Sequence, residues 1–410
     1  MAVTDENPVF YNPLDPSYML DPVPHLRQMR EEAPVHHTLA GPWAVFRYAD
    51  SFRILRDASL SVDEANADIR DSERAALFDA HIEATGIEFR PSTSMLNVDP
   101  PDHTRLRRLV SKAFTPKTIE NLRPQVQRLV DAALDSMAAK GTADLVGELA
   151  FPLPFDVISE MLGMPDSDSD QIRDWSSALV KTLDPVVIEE EIKAALTAGQ
   201  AMETHLAEVI LWKRDNRGHD LLTALLDAHE GGDRLSPEEL ADQVSLLFVA
   251  GHETTVNLIG NGIYELIRNP EQLQLLADDP TIEANAIDEL LRYVAPVQFS
   301  RRIATADLEI DGHLIPSGSF VLTCLATSNR DPAQFGDSAD ALDLTREGAG
   351  QHLSFGSGAH YCLGASLTKL EAQVAIGSFV RRFPDAKVVG EPVWNGRINL
   401  RGLDKLMLEL

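Results

Sequence analysis

Cysteine is scarce in this sequence: Cys324 and Cys362 are the only two in 410 residues. Two thiols so far apart give neither a disulfide framework nor the paired spacings of a multi-ligand metal site, and a reducing, cytoplasmic setting is expected. Positive charge is also in deficit. Lys and Arg number 36 against 64 Asp and Glu, a formal charge of −28, which repels phosphate backbones and anionic membrane surfaces at long range. Nucleic acid is therefore not an expected partner. The opening stretch Met1 to Pro24 has no apolar run long enough for a signal peptide or a membrane anchor, so no membrane association is expected either. Repeats, low-complexity tracts and long linkers are missing, and proline and glycine are spread through the chain, which points to one domain over residues 1–410.

What is present is a 44% hydrophobic chain, enough for a large core. Apolar residues recur at three and four in Leu26 to Glu32, Ala49 to Arg56, His103 to Phe114, Pro116 to Lys140 and Ile192 to Asp215, all expected helices. Strand patterns are confined to Trp43 to Phe46 and Asp307 to Leu325. The strongest element opens at Ser236, an N-cap with Pro237 at the first helical position and Glu239 completing a capping box, and runs to Asn269-Pro270. Its middle, Leu246 to Ala250, is apolar all round and is expected inside. The expected fold class is mainly α with small β-sheets (α+β).

Two segments carry chemistry. In the first, Phe355-Gly356-Ser357-Gly358-Ala359-His360-Tyr361-Cys362-Leu363-Gly364, a thiol stands where a glycine-rich loop enters a helix. Glycines allow a tight turn and the close approach of a flat ligand, while free N–H groups at the helix start stabilise a thiolate. These are the needs of an axial iron ligand, and hydrogen bonds to the sulfur tune its push on the metal. A dinucleotide loop is excluded because Tyr361 stands where the third glycine belongs. Cys324, inside the apolar run Phe320 to Ala326, reads as a small buried hydrophobe.

The second segment, Ala250-Gly251-His252-Glu253-Thr254-Thr255, sets polar groups in an apolar helix, where each needs a partner or water. His252-Glu253 fails as a zinc motif because Val256 stands where the second histidine is required. The Thr254 hydroxyl can bond back to the Ala250 carbonyl and open a groove for water.

Together these segments resemble the cytochrome P450 superfamily, soluble bacterial class I type. Its cysteine-loop pattern, Phe-x-x-Gly-x-x-x-Cys-x-Gly, is met by Phe355, Gly358, Cys362 and Gly364, and its oxygen-side pattern by Ala250, Gly251, Glu253 and Thr254. Glu289-x-x-Arg292 matches the family's buried structural pair. The resemblance implies the cytochrome P450 fold, with haem b (iron protoporphyrin IX) buried between the long helix and the cysteine loop and Cys362 as the metal ligand. It places Gly251 over the haem and Thr254 beside dioxygen, with Glu253 gating protons. It gives the haem propionates to His103, Arg107, Arg302 (rather than Arg301) and His360.

The implied activity is a monooxygenase that hydroxylates a hydrophobic small molecule such as a steroid, terpenoid or macrolide. Electrons would come from NAD(P)H through a ferredoxin reductase and ferredoxin, steered by five basic residues between Thr104 and Lys117. Substrate-facing segments by resemblance are Ser61 to Pro91, Trp175 to Glu191, Leu246 to Ala250, Val294 to Phe299 and Trp394 to Leu400. A peroxide-driven or oxidative-coupling enzyme and a noncatalytic haem-binding protein are the alternatives.

Overall fold

The computed structural model describes residues 11–68, 82, 91–112, 114–165, 169–184, 187–227, 229–230 and 233–410. Most of the Ser61 to Pro91 segment therefore lies outside the described residues. Helices dominate, and those that build the site are α1 (Tyr48–Arg56), α2 (Asp102–Ser111), α3 (Arg123–Lys140), α4 (Pro152–Leu162), α5 (Ser169–Lys181), α6 (Glu189–Asp215), α7 (Pro237–Arg268), α8 (Glu283–Val294) and α9 (Ala365–Arg382). The helix expected over Pro116 to Lys140 is split into Pro116–Glu120 and α3. Pro124 explains the break, because it sits in the first turn of α3 and has no N–H to continue an earlier helix.

α7 is the axis of the molecule, 32 residues or about 48 Å long. Its capping box forms as expected: Glu239 N–H donates to Ser236 Oγ at 3.1 Å, and Ser236 N–H donates to Glu239 Oε2 at 2.8 Å. Leu247, Phe248 and the run Leu258 to Ile263 are buried, but Leu246 and Val249 are half-buried and Ala250 is exposed. One face of the apolar middle is thus left accessible. Among the described residues no helix is long and apolar enough to cross a membrane.

Beside the helices lies a five-stranded sheet of β1 (Val35–His37), β2 (Trp43–Val45), β3 (Leu60–Ser61), β4 (Phe299–Ala304) and β5 (Phe320–Cys324), in the order β1-β2-β5-β4-β3. β2 pairs parallel with β5, Trp43 opposite Val321 and Val45 opposite Thr323, and the other neighbours are antiparallel. Cys324 ends β5 fully buried, as expected.

The Glu289–Arg292 pair is entirely buried. Arg292 meets both carboxylate oxygens, at 2.6 and 2.8 Å, and spends its other donors on the carbonyls of Asn329, Ala339 and Ala341. A third member was not evident in the sequence: Arg346 reaches the same carboxylate at 3.2 Å and also bonds Phe335, Ser338 and Ala341. Buried charges are tolerable only when each donor is used, and here they fasten the segment before the cysteine loop to α8.

Candidate active site

The cysteine loop turns on two glycines in the left-handed region, Gly356 at φ 69° and Gly358 at φ 74°. At Gly358 the requirement is double, since a Cβ there would stand 2.7 Å from the Leu55 carbonyl oxygen and 3.0 Å from Arg56 Cα at the end of α1. Phe355 is buried, and its carbonyl accepts the Cys362 N–H at 2.9 Å, which closes the loop. Cys362 is left half-buried just before α9. Burial pushes its thiol up, while the N–H groups of Gly364 and Ala365 and the Arg107 guanidinium pull it back down. A metal cation at the sulfur would add the missing positive charge.

The expected propionate residues converge beside this loop. The His103 and His360 rings lie 4.1 Å apart, and Arg107 Nη2 donates to the Tyr361 carbonyl at 2.6 Å. Arg302 donates to the Arg301 carbonyl at 2.7 Å and, at longer range, to Ser300 Oγ and the Leu55 carbonyl. Arg301 instead pairs with Glu64, so the choice of Arg302 agrees with the geometry. Burial, with the crowding of like charges, pushes His360 down to about 3; burial lowers Arg302 to about 10, and burial with Arg107 lowers His103. His103 is buried with neither ring nitrogen hydrogen-bonded. Asp99 is the one carboxylate that acts on His103, Arg302 and His360, and it bonds to Ser61 and the Val62 N–H instead, so two propionates would supply acceptors that these groups lack. The residues present fit haem b.

On α7, the Thr254 hydroxyl donates back to the Ala250 carbonyl at 3.0 Å. Ala250 and Thr254, four apart, share the open face. Gly251, next along the helix, is half-buried. A Cβ there would approach Ile158 of α4 at 4.0 Å, and its carbonyl takes the Thr255 hydroxyl, which also meets Thr368 of α9 at 3.3 Å. Ala250, beside Thr254, is exposed.

Glu253 forms a buried ion pair with Arg397, which also donates to Ser177 Oγ of α5 at 2.7 Å. Sequence reasoning missed Arg397, whose only signal was its place in the segment Trp394 to Leu400. The neighbouring backbone is held as well, for Asp184 accepts the N–H groups of Ile398 and Asn399 at 3.2 and 2.7 Å. His252 is buried between Phe151 and Phe155, ring centroids 4.5 and 5.9 Å away, and burial pushes it down to about 3. It is a neutral ring of the interior at physiological pH.

Of the five basic residues expected to form a docking patch, Arg105 is paired with Glu239 and Arg107 turns into the site. Arg108, Lys112 and Lys117 are exposed.

A thiol at the mouth of a helix, with arginines and histidines grouped beside it, suits a flat, doubly anionic ligand that carries a metal. The model of the family described as Cytochrome P450 matches residues 70–279 and 281–389. The chain is 43% identical to Cytochrome P450 107B1 of Saccharopolyspora erythraea over 393 residues, 92% of each chain. It is 39% identical to the 6-deoxyerythronolide B hydroxylase of the same organism over 323 residues, 78% of each. The solved structure of the Bacillus subtilis 168 bacillaene polyketide synthase cytochrome P450 PksS superposes with a TM-score of 0.86 at 34% identity, covering 98% of this chain and 100% of that one. The chain belongs to the cytochrome P450 family and has its fold. It is a cytochrome P450 monooxygenase, an enzyme of haem b with thiolate-ligated iron.

Proposed function

We propose that this enzyme hydroxylates a bulky apolar molecule of polyketide or macrolide type, with electrons from a separate ferredoxin-type protein and Cys362 as the iron ligand. One observation carries the reading: Thr254 and Glu253, the latter paired with Arg397, stand on α7, which meets α9, the helix after Cys362, through Thr255 and Thr368, so protons can be handed to the oxygen side of the site. Bound haem supplies the iron that activates dioxygen.

The chain's own residues do the rest. His103, Arg107, Arg302 and His360 hold the propionates. The Thr254 hydroxyl, anchored on Ala250, holds a proton donor at one position, and Glu253 exchanges protons with solvent when it parts from Arg397. Half-buried Leu246 and Val249 offer an apolar wall to the substrate. The substrate class follows the relatives whose names attach them to 6-deoxyerythronolide B and to a polyketide synthase. Exposed Arg108, Lys112 and Lys117, in a chain of charge −28, suit an acidic electron donor.

Peroxide-driven turnover needs no such proton path, so Thr254 and Glu253 weigh against that alternative. Replacing Thr254 by Ala is expected to divert electrons from product to hydrogen peroxide, by about 10-fold or more in the product-to-NADH ratio. An unchanged ratio refutes the role. A red-shifted carbon monoxide band of the reduced protein separates the enzyme readings from a noncatalytic haem protein without thiolate ligation.

A further inference from the structure

Both arms of the cysteine loop are tied to one carboxylate outside it. Asp288, on α8 beside Glu289, sends Oδ1 to within 2.5 Å of Lys369 Nζ, which lies in the first turns of α9 after Cys362. The same oxygen lies 3.5 Å from Nε2 of His352, three residues before Phe355. His352 is buried, and its Nδ1 accepts the Ser354 N–H at 3.1 Å, so the ring proton sits on Nε2, the nitrogen that lies beside Asp288. Burial pushes Asp288 up, but the bonds from His352 and Lys369 hold it below the ordinary carboxylate value. It is charged at neutral pH.

Phe355 lies between the two arms. Its ring centroid is 5.5 Å from that of His352, Lys369 Nζ stands 5.8 Å from the same ring, and its carbonyl holds the Cys362 N–H. Asn329 and the Leu291 carbonyl also hold Leu353 and Ser354 of the first arm, but Glu289 is occupied by Arg292 and Arg346, and of these groups Asp288 is the one that meets both arms. Ligand loops are held in register by such outer contacts, whose removal is felt at the metal.

We propose that Asp288 is a positioning residue for the iron ligand: by joining His352 to Lys369 across Phe355, it keeps the cysteine loop closed and the Cys362 sulfur on the iron. This rests on Cys362 being that ligand. In the Asp288→Asn holoenzyme the side chain keeps its size and loses its charge. Haem should then pass to a scavenger protein about 10-fold faster, the lower end of what outer contacts to a metal ligand are worth. The reduced carbon monoxide complex should show a second, shorter-wavelength band from molecules without thiolate ligation. Asp288→Glu should recover the single thiolate-type band. Lys369→Gln, on a partly exposed side chain, should shift both readouts in the same direction by less, and it covers the case in which Asp288→Asn does not fold.

Cys362→Ser separates the two ideas. If that variant keeps the thiolate-type band, the ligand assignment is wrong and the proposal with it. If it loses the band while Asp288→Asn retains the wild-type band and haem-loss rate, the Asp288 proposal alone is overturned, whether or not the thermal midpoint falls.

Discussion

Glu371 gives a prediction whose size can be worked through. It lies on α9, 2% exposed, and burial without a compensating cation pushes it from an ordinary 4.5 up to about 8. Between those values the native state keeps the proton and the unfolded chain has released it. Unfolding therefore releases a proton, and native stability falls as pH rises through this window, by about 1.4 kcal/mol per pH unit. With roughly 2.1 cal/mol/K of unfolding entropy per residue, 410 residues give about 0.9 kcal/mol/K, so each pH unit is worth about 1.6 °C.

Glu371→Gln replaces the neutral acid by a neutral amide of the same shape and removes the titration. Scanning calorimetry of both holoenzymes at about pH 5.5 and about pH 7.5 should show the difference between variant and wild type moving by about 3 °C in favour of the variant. Taking the difference cancels all other titrating groups. An offset that stays constant across this range refutes the assignment of a protonated, buried Glu371.

Other substitutions test other parts of the site. Gly358→Ala forces a side chain into the left-handed region and against the Leu55 carbonyl; the purified protein should carry little haem, which absorbance relative to protein measures. Arg346→Met leaves Glu289 short of a buried partner and should cost about 3–5 kcal/mol, read as a lower denaturation midpoint. The exposed pair Arg123–Glu120 provides the contrast, for its removal should change the midpoint by less than about 1 kcal/mol.

The parts of the fold legible from sequence were those that local chemistry decides. Ser236, Pro237 and Glu239 announce the start of α7 because a capping box uses only neighbours, and the glycines around Cys362 announce a tight turn for the same reason. The break before α3 was legible too, in Pro124, but helical periodicity on both sides of it dominated the reading. Strands of two or three residues, such as β1 and β3, present too few alternations for a period to register, and their pairing partners lie far off in sequence.

Within the site, the missed groups are the distant ones. Arg346 and Arg397 complete charges on α8 and α7, yet no local spacing links them to Glu289 or Glu253. The pairing of Thr254 with the Ala250 carbonyl is local, four residues apart on one helix, and was legible for that reason.

The parallel pairing of β2 with β5 sets an order of events during biosynthesis. Residues 43–45 leave the ribosome early, but their partners 321–323 follow roughly 15–60 s later at about 5–20 residues per second. Until then the sheet has no middle strand, β4 has β3 on one side but no Val321 opposite Arg302 on the other, and the loop of Cys362 is not yet made. Because Cys362 and α9 follow later still, the residues proposed to hold the prosthetic group come together only when most of the chain has been made.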